Sequence, residues 1–140
     1  MKPRLNIVTL GVQDLQISRD FYGNILGWKE AEGSDENIVF YHQGGIVLGL
    51  YPLDKLAEDA KVSPERSGFS GITLAINLDS KEAVEQLYFQ IIEGGGKPLV
   101  KPRETFWGGF DAYFADPDGY AWEIAWAPFW EYDEQGSLKM

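Results

Sequence analysis

The chain repeats itself, and that repeat constrains its fold more than any other feature. Val8-Thr9-Leu10 returns as Ile72-Thr73-Leu74, 64 residues later. Each copy opens an alternating segment, followed by a helical stripe and then three more strand-like segments. In the first copy, residues 5–12 alternate as a strand. Asp14 is positioned to cap a helix carrying Leu15, Phe21, Tyr22, Ile25 and Leu26, and Gly27 stands where a left-handed terminator ends it. Strands are expected at about 28–32, 37–42 and 46–51, divided by Gly33-Ser34-Asp35 and Gly44-Gly45. In the second copy, residues 71–77 form the strand, and Asp79 or Ser80 caps a helix with Val84, Leu87, Tyr88 and Ile91 on one face. Glu82, three residues after Asp79, makes a capping-box-like arrangement. Gly94-Gly95-Gly96 stops that helix. Strands are then expected at about 98–104, 109–115 and 121–127, the last two joined by the turn Asp116-Pro117-Asp118-Gly119.

A repeat of this size implies that neither half buries its sheet alone. The expected fold is α+β: tandem βαβββ modules forming an eight-stranded half-open barrel with helices outside. The expected organisation is one domain over 1–140. The first module covers 4–52 and the second 70–127. A connector at 53–69 carries a short helix near 54–60, and the aromatic and acidic tail occupies 128–140. That tail, Pro128-Phe-Trp-Glu-Tyr-Asp-Glu, is too aromatic for a disordered end and is expected to pack on a sheet edge or a partner.

Composition removes several function classes. The 140 residues include no cysteine, which excludes disulfides, thiolate nucleophiles and cysteine-ligated metals. There is one histidine, His42, so a multi-histidine site within one chain is excluded as well. A net charge of −10 argues against binding nucleic acid or an anionic membrane through a cationic surface. Solubility explains the acidity most simply, and a cationic ligand is the sharper reading. No apolar run approaches the roughly 20 residues of a membrane span. A cytoplasmic homodimer is the expectation, because half-open sheets leave edges that need cover.

The alternation separates two faces. Val8, Leu10, Val12, Leu48, Leu50, Ile72, Leu74, Ile76, Trp122, Ile124 and Trp126 are uniformly large and apolar, and read as the face under the helices. The opposite face carries Ile7, Thr9, Gly11, Val47, Gly49, Tyr51, Gly71, Thr73, Ala75, Ala121, Glu123 and Ala125. A packed core would not select three glycines, two threonines and a carboxylate there. A ligand cavity would. Glu123 is the one ionisable residue on that face, positioned to hold a cation, ligate a metal or act as a general base. A glutamate satisfied by a backbone amide or a threonine hydroxyl is the plainer alternative.

The helix segment Val12-Gln-Asp-Leu-Gln-Ile-Ser-Arg-Asp-Phe-Tyr22 with Leu26-Gly27-Trp28, and the segment Phe114-Ala-Asp-Pro-Asp-Gly-Tyr-Ala-Trp-Glu123, resemble the vicinal oxygen chelate superfamily. That group contains glyoxalase I, bleomycin-resistance proteins, fosfomycin-resistance proteins and extradiol dioxygenases. The resemblance covers residues 4 to about 127. It implies paired βαβββ units around a ligand, and in metal-using members it implies ligands at the positions of Ile7, Gly49, Gly71 and Glu123. Only Glu123 is a ligand type, and His42 lies near the end of a middle strand, away from these positions. The resemblance therefore points to the metal-free, bleomycin-resistance-like branch: no metal, no cofactor, and a small cationic or aromatic ligand held without chemistry. Expected ligand contacts are Thr9, Tyr51, Thr73, Trp107, Asp111, Tyr113 and Glu123. The competing reading is a lyase or isomerase using Glu123 as catalytic base, or a metal site completed by substrate or partner. A third reading has the cavity vestigial and the protein acting by association.

Overall fold

In the computed structural model, which describes residues 1–139, the first strand of each repeat pairs in parallel with the last strand of the same repeat. A parallel pair needs a crossover, and each crossover here begins with a helix. Two units result, Met1–Arg66 with Tyr132–Ser137, and Ser67–Glu131 with the last residues of the chain.

In the first unit, β1 (Ile7–Val12), β2 (Val39–Gln43) and β3 (Ile46–Pro52) form a sheet in the order β1-β3-β2. Helix α1 (Leu15–Asp20) follows β1 and continues into a π-helical turn over Phe21–Ile25. Asp14 caps α1, its carboxylate accepting from the Ile17 amide at 3.0 Å. Gly27 takes φ +71°, the left-handed conformation expected of it. Phe21 and Tyr22 are buried, and Tyr22 stacks on Trp28 at 5.4 Å between ring centres. Helix α2 (Leu53–Ala60) lies where the connector was expected to turn helical.

In the second unit, β4 (Thr73–Asn77), β5 (Lys97–Glu104), β6 (Phe110–Ala115) and β7 (Ala121–Trp126) form a sheet in the order β4-β7-β6-β5. Helix α3 (Lys81–Glu93) crosses from β4 to β5. Ser80 caps it, its hydroxyl accepting from the Ala83 amide at 3.0 Å. The cap is therefore one residue past Asp79, and Glu82 is not in the capping-box position. Phe114 and Trp122 stack beneath α3 at 6.3 Å, and Ile124 is fully buried. At the mouth of this core Lys81 lies 5.7 Å from the ring centres of both Phe110 and Trp126, and it also pairs with Glu104. The Asp116–Gly119 turn closes as expected: Gly119 donates to the Asp116 carbonyl at 3.0 Å. The Asp116 carboxylate accepts from the amides of Asp118 and Tyr120. Finally, β8 (Glu131–Tyr132) and β9 (Leu138–Lys139) form a short hairpin whose turn is held by the Asp133 carboxylate, which accepts from Gln135 and Ser137.

Two further expectations fail. The strand expected at 28–32 is a single bridge, Glu30 opposite Tyr41. Side chains take the groups that a ladder would use. The Ser34 hydroxyl accepts from the Phe40 amide at 2.9 Å, and the Asp35 carboxylate accepts from Asn37 and Ile38. Glu30 is itself held by Arg19 at 2.8 Å. Ile72, placed on the core face by alternation, precedes β4 and is 44% exposed. Gly71 before it adopts φ +80°, which ends the extended run that the alternation assumed.

Removing the α3 cap and hollowing the core beneath α3 are separable. Ser80→Ala should cost about 1 kcal/mol of unfolding free energy. Ile124→Ala should cost about 2–5 kcal/mol. Urea denaturation with a shared slope checks both.

Candidate functional site

The face rich in small residues has a different fate in each unit. In the first, Thr9 pairs with Gly49, which pairs in turn with Phe40. A Cβ on Gly49 would stand 3.3 Å from the Thr9 hydroxyl and 3.4 Å from the Phe40 ring. Gly11 is covered by α2: a Cβ there would lie 2.6 Å from Leu53 Cδ1. These two glycines are small because a ring and a helix need their space. Tyr51, opposite Gly11 in the register, is half-buried. A separate cleft of about 630 Å³ in this unit is lined by residues 27–33, His42 and Gln43. His42 is exposed and pairs with Val47, so it stands on the Phe40 side of the sheet.

In the second unit the face stays polar and partly open. Ala75, Glu123 and Tyr113 form one cross-strand row over β4, β7 and β6. Asn77, Ala125, Asp111 and Arg103 form the next, running on to β5. Thr73 and Ala75 are exposed, Tyr113 and Glu123 are half-buried, and Asp111 is 3% exposed. Arg103 Nε donates to Asp111 Oδ1 at 3.0 Å. Thus Thr73, Asp111, Tyr113 and Glu123, four of the expected ligand contacts, share one sheet face. Thr9 and Tyr51 belong to the first unit. Trp107 sits in the β5–β6 loop, stacked on Trp130 at 5.5 Å and edge-on to Phe129 at 6.4 Å. Its ring lies over Gly109, where a Cβ would come within 2.0 Å of it. The beginning of the tail therefore packs on this loop.

Two residues of the site escaped the alternation argument. Arg103 reaches Asp111 only because β5 slips register between Pro98 and Val100 and again between Val100 and Arg103. Pro98 and Pro102 were the available signal, since proline inside a strand marks an edge or a bulge. Asn77 follows directly from the period of two through Thr73 and Ala75, and the signal was in plain view.

The electrostatics single out Glu123. Burial raises its carboxyl above the ordinary range, and the neighbouring Asp111 charge raises it further. Hydrogen bonding with Tyr113 and the Arg103 charge pull the other way. Tyr113 is raised as well, by burial first and then by the Glu123 charge. Arg103 is committed to Asp111, so Glu123 is the carboxylate whose charge has no dedicated cation. The donor set does not fit a divalent catalytic ion. Ile7, Gly49 and Gly71 offer no ligand atoms in their side chains, and among the described residues no three His, Asp or Glu side chains come together.

Parallel pairing of the first and last strands of each repeat, with the Asp111–Arg103 pair and the raised Glu123 carboxyl on the small-residue face of the second unit, defines an α+β protein of two related units. The family model for the glyoxalase/bleomycin resistance protein/dioxygenase superfamily matches residues 4–124, and the chain belongs to that superfamily. The chain is similar to a glyoxalase-related enzyme from Fulvimarina pelagi, at 34% identity and a TM-score of 0.90, covering 98% of this chain and 97% of that one. It shares its fold with a glyoxalase/bleomycin resistance protein/dioxygenase family enzyme from Burkholderia phytofirmans PsJN (23% identity, TM-score 0.81, 89% and 99% covered). It also shares its fold with a lactoylglutathione lyase from Agrobacterium tumefaciens (18%, 0.70, 93% and 98%). A search of curated proteins finds no match. No helix among the described residues is long and apolar enough to cross a membrane.

The raised Glu123 carboxyl carries a pH signature opposite to that of a salt-bridged acid. The folded state holds this proton more tightly than the unfolded chain, so stability falls as pH rises from the ordinary carboxylate range through the raised value. Glu123→Gln, permanently neutral, should therefore melt higher than the parent at pH 7–8, with the gain vanishing near pH 4. Paired thermal scans at the two pH values check this. An equal gain at both would show that the charge is not the cause.

Proposed function

We propose that this protein binds a small organic ligand, cationic or aromatic, over the Glu123 face of the second unit, holds it without chemical change, and does so without a metal. One observation carries the reading: a half-buried carboxylate raised by burial and by Asp111, with the nearby guanidinium already engaged by Asp111. A ligand cation would supply the counter-charge that the site lacks, and the Tyr113 ring offers an aromatic surface beside it. The donor set, with carbon or glycine at three of the four family ligand positions, favours the binding branch over the metal-dependent one. The bleomycin-resistance proteins named in the family description are the nearest functional analogy.

A second reading rests on the same residue. A carboxyl raised toward neutrality is also what a general base needs, and Glu123 beside the Tyr113 hydroxyl could then move a proton in an isomerase or lyase step.

Benzyltrimethylammonium and benzoate carry opposite charges on the same phenyl ring and so discriminate by charge. In about 0.15 M salt, where long-range attraction to the acidic surface is screened, the cation should perturb the NMR signals of Glu123 and Tyr113 and benzoate should not. Glu123→Gln should weaken the cation by about tenfold or more. Preference for benzoate, or cation binding unchanged in Glu123→Gln, would end the counter-ion reading. Turnover of a bound compound that disappears in Glu123→Gln while binding persists would establish the base instead.

A further inference from the structure

The row beside Glu123 contains an atom that the fold leaves unsatisfied. Asn77 Oδ1 is buried and has no hydrogen-bond partner. Asn77 closes β4, opposite Ala125, which is opposite Asp111 on the next strand. With strands about 4.8 Å apart, the Asn77 and Asp111 backbones stand roughly 10 Å apart along the row, with Ala125 on the strand between them. Glu123 lies two residues from Ala125 on the same face. Each of the three polar side chains bordering Ala125 thus offers an acceptor: the Asn77 amide oxygen, the Asp111 carboxylate and the Glu123 carboxylate. The donors nearby are the Arg103 guanidinium, which bonds Asp111, and the Tyr113 hydroxyl, which serves Glu123.

A buried acceptor without a donor costs stability, and native proteins rarely keep one without a use. A leucine or alanine at 77 would have avoided the cost. An N–H donor brought by the ligand would satisfy it. We infer that Asn77 reads the ligand: its side-chain oxygen accepts a hydrogen bond from an N–H of a bound protonated amine, so the site prefers a primary ammonium to a quaternary one. This rests on the cation-binding reading above and sharpens it. Charge alone would satisfy Glu123, whereas Asn77 responds only to a hydrogen that the cation can donate. A primary ammonium carries three such donors and a quaternary nitrogen none.

Benzylammonium and benzyltrimethylammonium separate the two ideas, since they share the ring and the charge. With the full-length protein at pH 7, benzylammonium should bind about tenfold more tightly by NMR titration. Asn77→Ala should abolish that advantage by weakening benzylammonium while leaving benzyltrimethylammonium unchanged. Asn77→Asp, which keeps an acceptor in the same place, should retain it. The ligand-free melting temperature of Asn77→Ala should equal or exceed that of the parent, because an unsatisfied group has been removed. A clear drop in that temperature would show that Asn77 serves the fold instead. The inference would also fall if the advantage survived in Asn77→Ala, or if it vanished because benzyltrimethylammonium bound better once space was made. Equal binding of both cations by the parent overturns the role of Asn77 and leaves the cation site standing. Binding of neither overturns both.

Discussion

The parallel pairing of β4 with β7 is the constraint on which the site depends. It aligns Ala75 with Glu123 and Asn77 with Ala125, and the antiparallel partner β6 then adds Tyr113 and Asp111 to the same two rows. Because successive strand residues point to opposite faces, this register sends Trp122, Ile124 and Trp126 to the helix side. Every charged group of the site is sent to the other. A slip of one residue would bury Glu123 under α3 and expose two tryptophans, so the core and the site enforce each other.

The two units solve the same backbone problem differently. Both carry small residues on the face away from the first helix. In the first unit those residues make room for Phe40 and for α2, and the polar groups of the face are Thr9, Tyr51 and His42. In the second there is no counterpart of α2, and carboxylates, an amide and a guanidinium occupy the corresponding rows. Duplication supplied two equivalent surfaces. One is packed by its own chain, and the other keeps Thr73 and Ala75 exposed and Tyr113 and Glu123 half-buried.

Within the second unit, charge is distributed unevenly. Asp111 is buried and would be costly without Arg103, whose guanidinium is largely exposed yet reaches it at 3.0 Å. That pairing commits the hydrogen bond of the nearby cation to Asp111 rather than to Glu123. Burial first and then the Asp111 charge disfavour ionisation of Glu123, and the Tyr113 hydroxyl and the Arg103 charge only partly offset them. Glu123 is thus left as the carboxylate of these rows without a cation dedicated to it.

Much of this was legible in the linear chain. The repeat, the caps at Asp14 and Ser80, the glycine after the first helix and the Asp116–Gly119 turn are local chemistry, and local chemistry is written in short segments. The period of two assigned Thr73 and Glu123 to one face, because strand geometry fixes that alternation wherever the strand is regular. It failed where the backbone was irregular. Gly71 ends the extended run before Ile72, and side chains of Ser34 and Asp35 take the backbone groups that a strand at 28–32 would have paired. Bulges in β5 bring Arg103 to Asp111. Tertiary structure alone decided that Gly11 and Gly49 yield space to α2 and Phe40, that the nearby guanidinium is committed to Asp111, and that the side-chain oxygen of half-buried Asn77 is buried without a donor. Those facts depend on which atoms meet across strands and helices far apart in the chain, and no periodicity encodes such meetings.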